Sequence, residues 1–185
     1  MKPLSKLASA AFALSIAAGA ASVLTLSPAL AATANQCKVF KGYATFKPPV
    51  PLANGPKVIS TITIHGTVSG CSPTKLTGGT GTVTGTIKGT KPGNCADTVK
   101  GGNTQKGTST TKWKNGKSSK FTVTVKEGTG SSYNIATITG KVTSGLFAGK
   151  LVAGQTKFTA SSNDQCVQKP LSKVNFVQTK PLVLH

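Results

Sequence analysis

The chain has 185 residues and carries 22 basic residues, every one a lysine, against three acids. Without arginine it lacks the planar fork that reads phosphates and guanine edges, so base-specific nucleic-acid recognition is not expected. Lysine alone gives diffuse, salt-sensitive attraction to polyanions, felt over about 8 Å at physiological ionic strength.

The first 31 residues read as an export signal. Lys2 and Lys6 supply a basic start, Leu7 to Leu26 an apolar run, and Ser27-Pro28-Ala29-Leu30-Ala31 a small-residue cleavage site. The apolar run is long enough to span a membrane, but the proline and small-x-small site favour cleavage, with Ala32 as the mature start. No transmembrane segment is expected after cleavage. Residues 32–185 then form a single secreted domain, large enough for its own core. Two of the 22 lysines leave with the leader, so 20 face Asp97, Glu127 and Asp164, a formal +17. Solubility alone is a competing reason for such a charge.

Threonine, valine, isoleucine and glycine dominate residues 32–185, and period-two alternation recurs. Strands are expected near 38–47, 58–68, 82–88, 106–114, 120–127, 132–143, 149–159 and 172–179. Within them Val58, Ile62, Ile64 and Val68 share one face, as do Val83 and Ile87, and Phe121, Val123 and Val125. The proline-rich Lys47–Pro56 stretch reads as a connecting loop, and Lys91-Pro92-Gly93-Asn94 and Lys100-Gly101-Gly102-Asn103 as turns. No stretch of the mature part has a convincing helical period, and no fixed repeat survives. The expected fold is all-β, an antiparallel sandwich or barrel of about eight strands, stapled by disulfides.

The lone tryptophan lies in Lys112-Trp113-Lys114-Asn115-Gly116-Lys117-Ser118-Ser119-Lys120. A two-residue Asn-Gly loop would turn Trp113 outward and two lysines inward. A three-residue loop with Gly116 in the left-handed region instead places Trp113 on the face of Ser119, Phe121 and Val123. The second register buries the ring and leaves the lysines in water, so it is preferred.

Four cysteines in an exported chain imply two bridges. With strands running up and down, Cys37 and Cys71 fall at one end and Cys95 and Cys166 at the other. An eleven-residue strand spans about 36 Å, far beyond disulfide reach. The expected pairs are Cys37–Cys71 and Cys95–Cys166, unless an extra strand near Ala96–Lys100 upsets the count. The cysteines lack metal-site spacing, and no metal or cofactor is expected.

Catalytic groups are sparse. Nothing in the sequence places two of the three acids together, and each reads as a turn residue or a lysine partner. Of the two histidines, His65 lies on a threonine face and His185 ends the chain. The Gly78–Gly85 stretch lacks the Lys-Ser/Thr ending of a phosphate loop. A Lys–Asn cross-link of the kind some surface β-domains carry would use an acid such as Glu127. No enzyme is read from these residues.

The order of "QCKVFKGYATFKPP", "GTVSGC", "GTGTVTG", "WKNGKSS", "GKVTSGLFAGK", a late "DQC" and "VNF" resembles small exported β-rich proteins of actinobacteria. Trp113-x-Asn115-Gly116 and Gly145-Leu146-Phe147-Ala148-Gly149 are its most specific pieces. The resemblance implies export and an all-β fold and transfers no site residues; the lysine load departs from that group. Taken by themselves, Leu146 and Phe147 between glycines suggest an apolar plug between strands 132–143 and 149–159.

Three function classes are compatible with these features. The first is a non-catalytic secreted domain, cell-wall associated, whose scattered lysines hold anionic cell-envelope polymers, with Lys112, Lys114, Lys117 and Lys120 as one contact patch. The second is a cationic antimicrobial or enzyme-inhibiting protein. The third is an enzyme of unknown class, for which His65 is the residue to substitute.

Overall fold

A computed structural model describes residues 35–160, Cys166 and residues 168–185. The export signal, the Ala32 start and Asp164 lie outside them.

Eight antiparallel strands close into an up-and-down barrel in sequence order: β1 (Asn35–Val50), β2 (Thr61–Cys71), β3 (Thr80–Gly89), β4 (Thr104–Trp113), β5 (Ser118–Glu127), β6 (Ile135–Gly145), β7 (Leu151–Ala160) and β8 (Leu171–Leu184). All eight expected strands are present, and the architecture is a barrel rather than a sandwich. β1 pairs with both β2 and β8, so the sheet has no free edge.

Alternation decides the two faces. Ile62, Val68, Val83, Ile87, Phe121, Val123 and Val125 are buried inside, while Thr82, Thr84, Thr86, Thr108 and Thr122 are exposed outside. Cross-strand registry lines these outer threonines into rows, such as Thr63–Thr86–Thr108–Thr122 across β2 to β5.

The proline-rich loop needs correction, because β1 runs on through Pro48 and Pro49 to Val50. The ladder to β2 stops at Lys47, and the ladder to β8 shifts register between Thr45 and Val50. The prolines occupy that shift, where no partner strand needs their missing N–H. A second irregularity in β1, between Cys37 and Lys41, is spanned by Gln178, whose amide donates to the carbonyls of Cys37 and Lys38 (both 3.1 Å).

The absence of helix also needs correction. Among the described residues two short α-helices sit in connections, α1 (Thr74–Thr77) between β2 and β3 and α2 (Cys95–Lys100) between β3 and β4, with one 3-10 turn at Gly130–Ser132. The Ala96–Lys100 segment is therefore helical and adds no extra strand. Asn94 and Asp97 start it with a reciprocal capping box.

Both disulfides pair as expected. Cys37 and Cys71 stand opposite each other in the β1–β2 ladder, Cα atoms 3.9 Å apart. Cys95 and Cys166 join α2 to the β7–β8 connection at the other end, Cα atoms 5.2 Å apart.

Candidate functional site

The two ends of the barrel are built differently. At the first, the β4–β5 turn has the three-residue form: Trp113 N–H donates to the Lys117 carbonyl (2.8 Å), Gly116 N–H donates to the Trp113 carbonyl (3.0 Å), and Gly116 has φ +84°. Trp113 is buried, and its Nε1–H donates to Ser119 Oγ (2.8 Å); Ser119 in turn donates to the Leu146 carbonyl (2.5 Å). Phe147 meets the indole edge-on, centroids 5.9 Å apart. It does so at φ +67°, a conformation costing a non-glycine residue about 1 kcal/mol. Leu146 and Phe147 therefore plug this end from the β6–β7 turn, as their glycine-flanked apolar pair suggested. Below them Phe40 and Phe176 pack at 4.9 Å. A Cβ on Gly66 would lie 2.9 Å from Phe40, so glycine makes room for that pair.

Lys112, Lys114, Lys117 and Lys120 surround this turn, all exposed. They are part of a wider pattern, for each of the twenty lysines from Lys38 to Lys180 is exposed. Acids are placed elsewhere. Asp97 pairs with Lys57 (3.0 Å) at α2, and that contact and its capping hydrogen bond hold its pKa below the ordinary value. This fits the expected lysine partner, but Asp97 sits in the first turn of α2 rather than in a chain turn.

Glu127 is neither, and here the sequence reading is corrected. It points into the barrel at the second end, where Asn103 Nδ2 donates to Oε2 (3.0 Å) and Gln105 Nε2 to Oε1 (2.8 Å). Burial raises its pKa, and the two amide contacts oppose that rise. Parity could have found it, since Phe121, Val123, Val125 and Glu127 are successive residues of one face.

Beside Glu127 the barrel interior opens into a cavity of about 590 Å³. Its wall includes Phe46, Ile62, Ile64, Ile87, Ile138 and Phe158, and its polar edge includes Ser60, Asn103, Gln105, Glu127 and Thr156. Phe46, Ile64, Ile138 and Phe158 share strand faces with the core yet are only partly buried, because they border this space. Val99 of α2 and Tyr133, both exposed, stand at its rim. The rim is braced by Asn94, whose side chain donates to the Ala53 and Gly55 carbonyls (3.0 and 3.1 Å), by the Val58–Gly93 bridge, and by Cys95–Cys166. Nothing in the sequence marked this space, since it depends on how eight walls curve together.

His65 lies outside the barrel, stacked on Tyr43 at 5.1 Å, with the Lys173 ammonium 4.1 Å from the tyrosine ring centre. Among the described residues no three His, Cys, Asp or Glu side chains cluster as metal ligands would, and no helix is long and apolar enough to cross a membrane. Comparison with protein-family models, with curated proteins and with solved structures returned no match.

Proposed function

We propose that this barrel is a secreted, non-catalytic protein that associates with anionic cell-envelope polymers through its lysines. The observation that carries the reading is the separation of charge. Among the described residues no strand presents a side-chain carboxylate outward: Glu127 faces the interior, and Asp97 is spent on Lys57 and the α2 cap. Among the described residues every lysine but Lys57 stands without an ion-pair partner, beside rows of threonine hydroxyls, a surface suited to a flexible, hydrated polyanion rather than a planar ligand. In this reading Lys112, Lys114, Lys117 and Lys120 form one patch, and the threonine–lysine wall meets water, unlike the apolar band of a membrane barrel. Two formed disulfides support an oxidising compartment outside the cytoplasm.

Co-sedimentation of the mature protein with purified actinobacterial cell envelope, across a salt series, tests this. Retention should fall steeply with salt, and replacing the four hairpin lysines with glutamine should flatten that dependence. No retention at low salt would refute the proposal.

A further inference from the structure

The cavity beside Glu127 is separate from the lysine surface. Eight-stranded barrels are just wide enough either to fill with side chains or to hold one small ligand. This one does both, at opposite ends. Trp113, Phe147, Phe40 and Phe176 fill the first. The second keeps about 590 Å³ of space, within the range of small-molecule sites. Isoleucine, valine and phenylalanine side chains that the fold turns inward remain in contact with that space. They offer an apolar ligand the surroundings that four of them lack when it is absent.

The polar groups are not scattered. Glu127, Asn103 and Gln105 lie together on one edge, and the amides hold the carboxylate in place, one donor on each oxygen. Each oxygen retains a further lone pair for a ligand. Among the described residues no lysine lies within ion-pairing distance of Glu127; the one ion pair is Lys57–Asp97. We propose that the barrel interior binds a small lipophilic amine, its hydrocarbon body against Ile64, Ile138 and Phe158 and its ammonium on Glu127.

Burial raises the Glu127 pKa, and an ammonium bound beside it would favour the charged carboxylate. Lys91 and Lys157 also border the cavity and would draw an acidic head group instead. Both are exposed, so water screens them, whereas Glu127 is set inside with fixed donors. The choice between an amine and an acid therefore rests on Glu127.

The test uses the mature protein with disulfides intact and the neutral reporter N-phenyl-1-naphthylamine, displaced in turn by decylamine, decanol and decanoate. One saturable site is expected, with decylamine displacing at the lowest concentration. Glu127→Gln should raise the decylamine concentration needed by about tenfold or more, the loss of one charge-assisted hydrogen bond, and leave decanol little changed. Ile138→Trp should fill the space and abolish reporter binding with cooperative melting retained; Phe158→Trp serves if that variant does not fold. Absence of saturable reporter binding would overturn the proposal. So would decanoate matching decylamine, or an amine-to-alcohol ratio unchanged in Glu127→Gln. The four-lysine glutamine variant should bind decylamine normally, so failure of the envelope reading would leave this result intact.

Discussion

Ser119→Ala should be among the most damaging single-atom deletions in the barrel. Ser119 is fully buried, and its hydroxyl joins the buried Trp113 indole to the backbone of half-buried Leu146. It accepts from Trp113 Nε1 at 2.8 Å and donates to the Leu146 carbonyl at 2.5 Å. Removing it strands the buried indole donor, costing about 1–3 kcal/mol, and takes a partner from the part-buried Leu146 carbonyl, costing about 1 kcal/mol. Together these bring the expected loss to about 2–4 kcal/mol. With a urea slope of about 2 kcal/mol/M, the middle of the range for small domains, the midpoint should fall by about 1–2 M at unchanged slope. Urea unfolding with disulfides intact, followed by circular dichroism, measures this. Ser118→Ala, exposed one residue away, should change stability by no more than about 0.5 kcal/mol. A Trp113→Phe, Ser119→Ala cycle should show coupling of about 1–2 kcal/mol, since phenylalanine already removes the stranded donor. A loss under about 1 kcal/mol for Ser119→Ala would mean that the plug is not held by this relay.

Removing either disulfide by paired Cys→Ala substitution should cost about 4 kcal/mol by the chain-entropy relation, for separations of 34 and 71 residues. Urea midpoints of the two variants check this; a loss below about 1 kcal/mol in either would show that closing that loop adds little. Gly140→Ala should destabilise more than Gly116→Ala in thermal melts. A Cβ on Gly140 collides with the Thr122 carbonyl across the β5–β6 ladder, costing about 1–3 kcal/mol. At Gly116 there is open space and only a left-handed backbone to strain, costing about 1 kcal/mol; the reverse order would contradict the close strand approach. Glu127 binds its proton more tightly in the folded barrel, so its contribution to stability is full below the ordinary carboxylate range and is lost as pH rises through the raised pKa. Glu127→Gln should abolish that loss in melting temperature against pH. Asp97→Asn should instead abolish a loss on acidification, because its pKa is lowered.

The strands were legible because alternation in a half-buried strand records which face meets the core, as Phe121, Val123 and Val125 do in β5. The disulfides were legible because up-and-down strand order sorts Cys37 and Cys71 to one end and Cys95 and Cys166 to the other. The Trp113 register was legible because burying lysine costs more than burying an indole gains. Pro48 and Pro49 misled because a proline in a strand is harmless wherever the ladder has slipped, and slippage depends on the partner strand. The α2 helix was missed because its six residues are too few to show a period, although Asn94 and Asp97 at capping spacing announced it. Glu127 was missed because an acid next to Gly128 suggests a turn, which masked its place on the inward face.

The same few carboxylates explain both proposed surfaces. A chain with twenty exposed lysines gains Coulomb relief from any acid placed outside, yet β5 directs Glu127 inward, where desolvation disfavours its charge. Packing does not require it there, because Thr111 and Thr156 show that the interior accepts a small neutral polar side chain. Glutamine at position 127 would keep an acceptor for the Gln105 amide without the desolvation cost of a charge. Asn103 and Gln105 hold the carboxylate at the edge of an apolar cavity, the arrangement that an entering ammonium would use. If Glu127→Gln melts higher at neutral pH and loses amine selectivity, the acid is a binding group retained against stability. If it melts higher and selectivity is unchanged, the cavity reading fails while the outer lysines keep theirs.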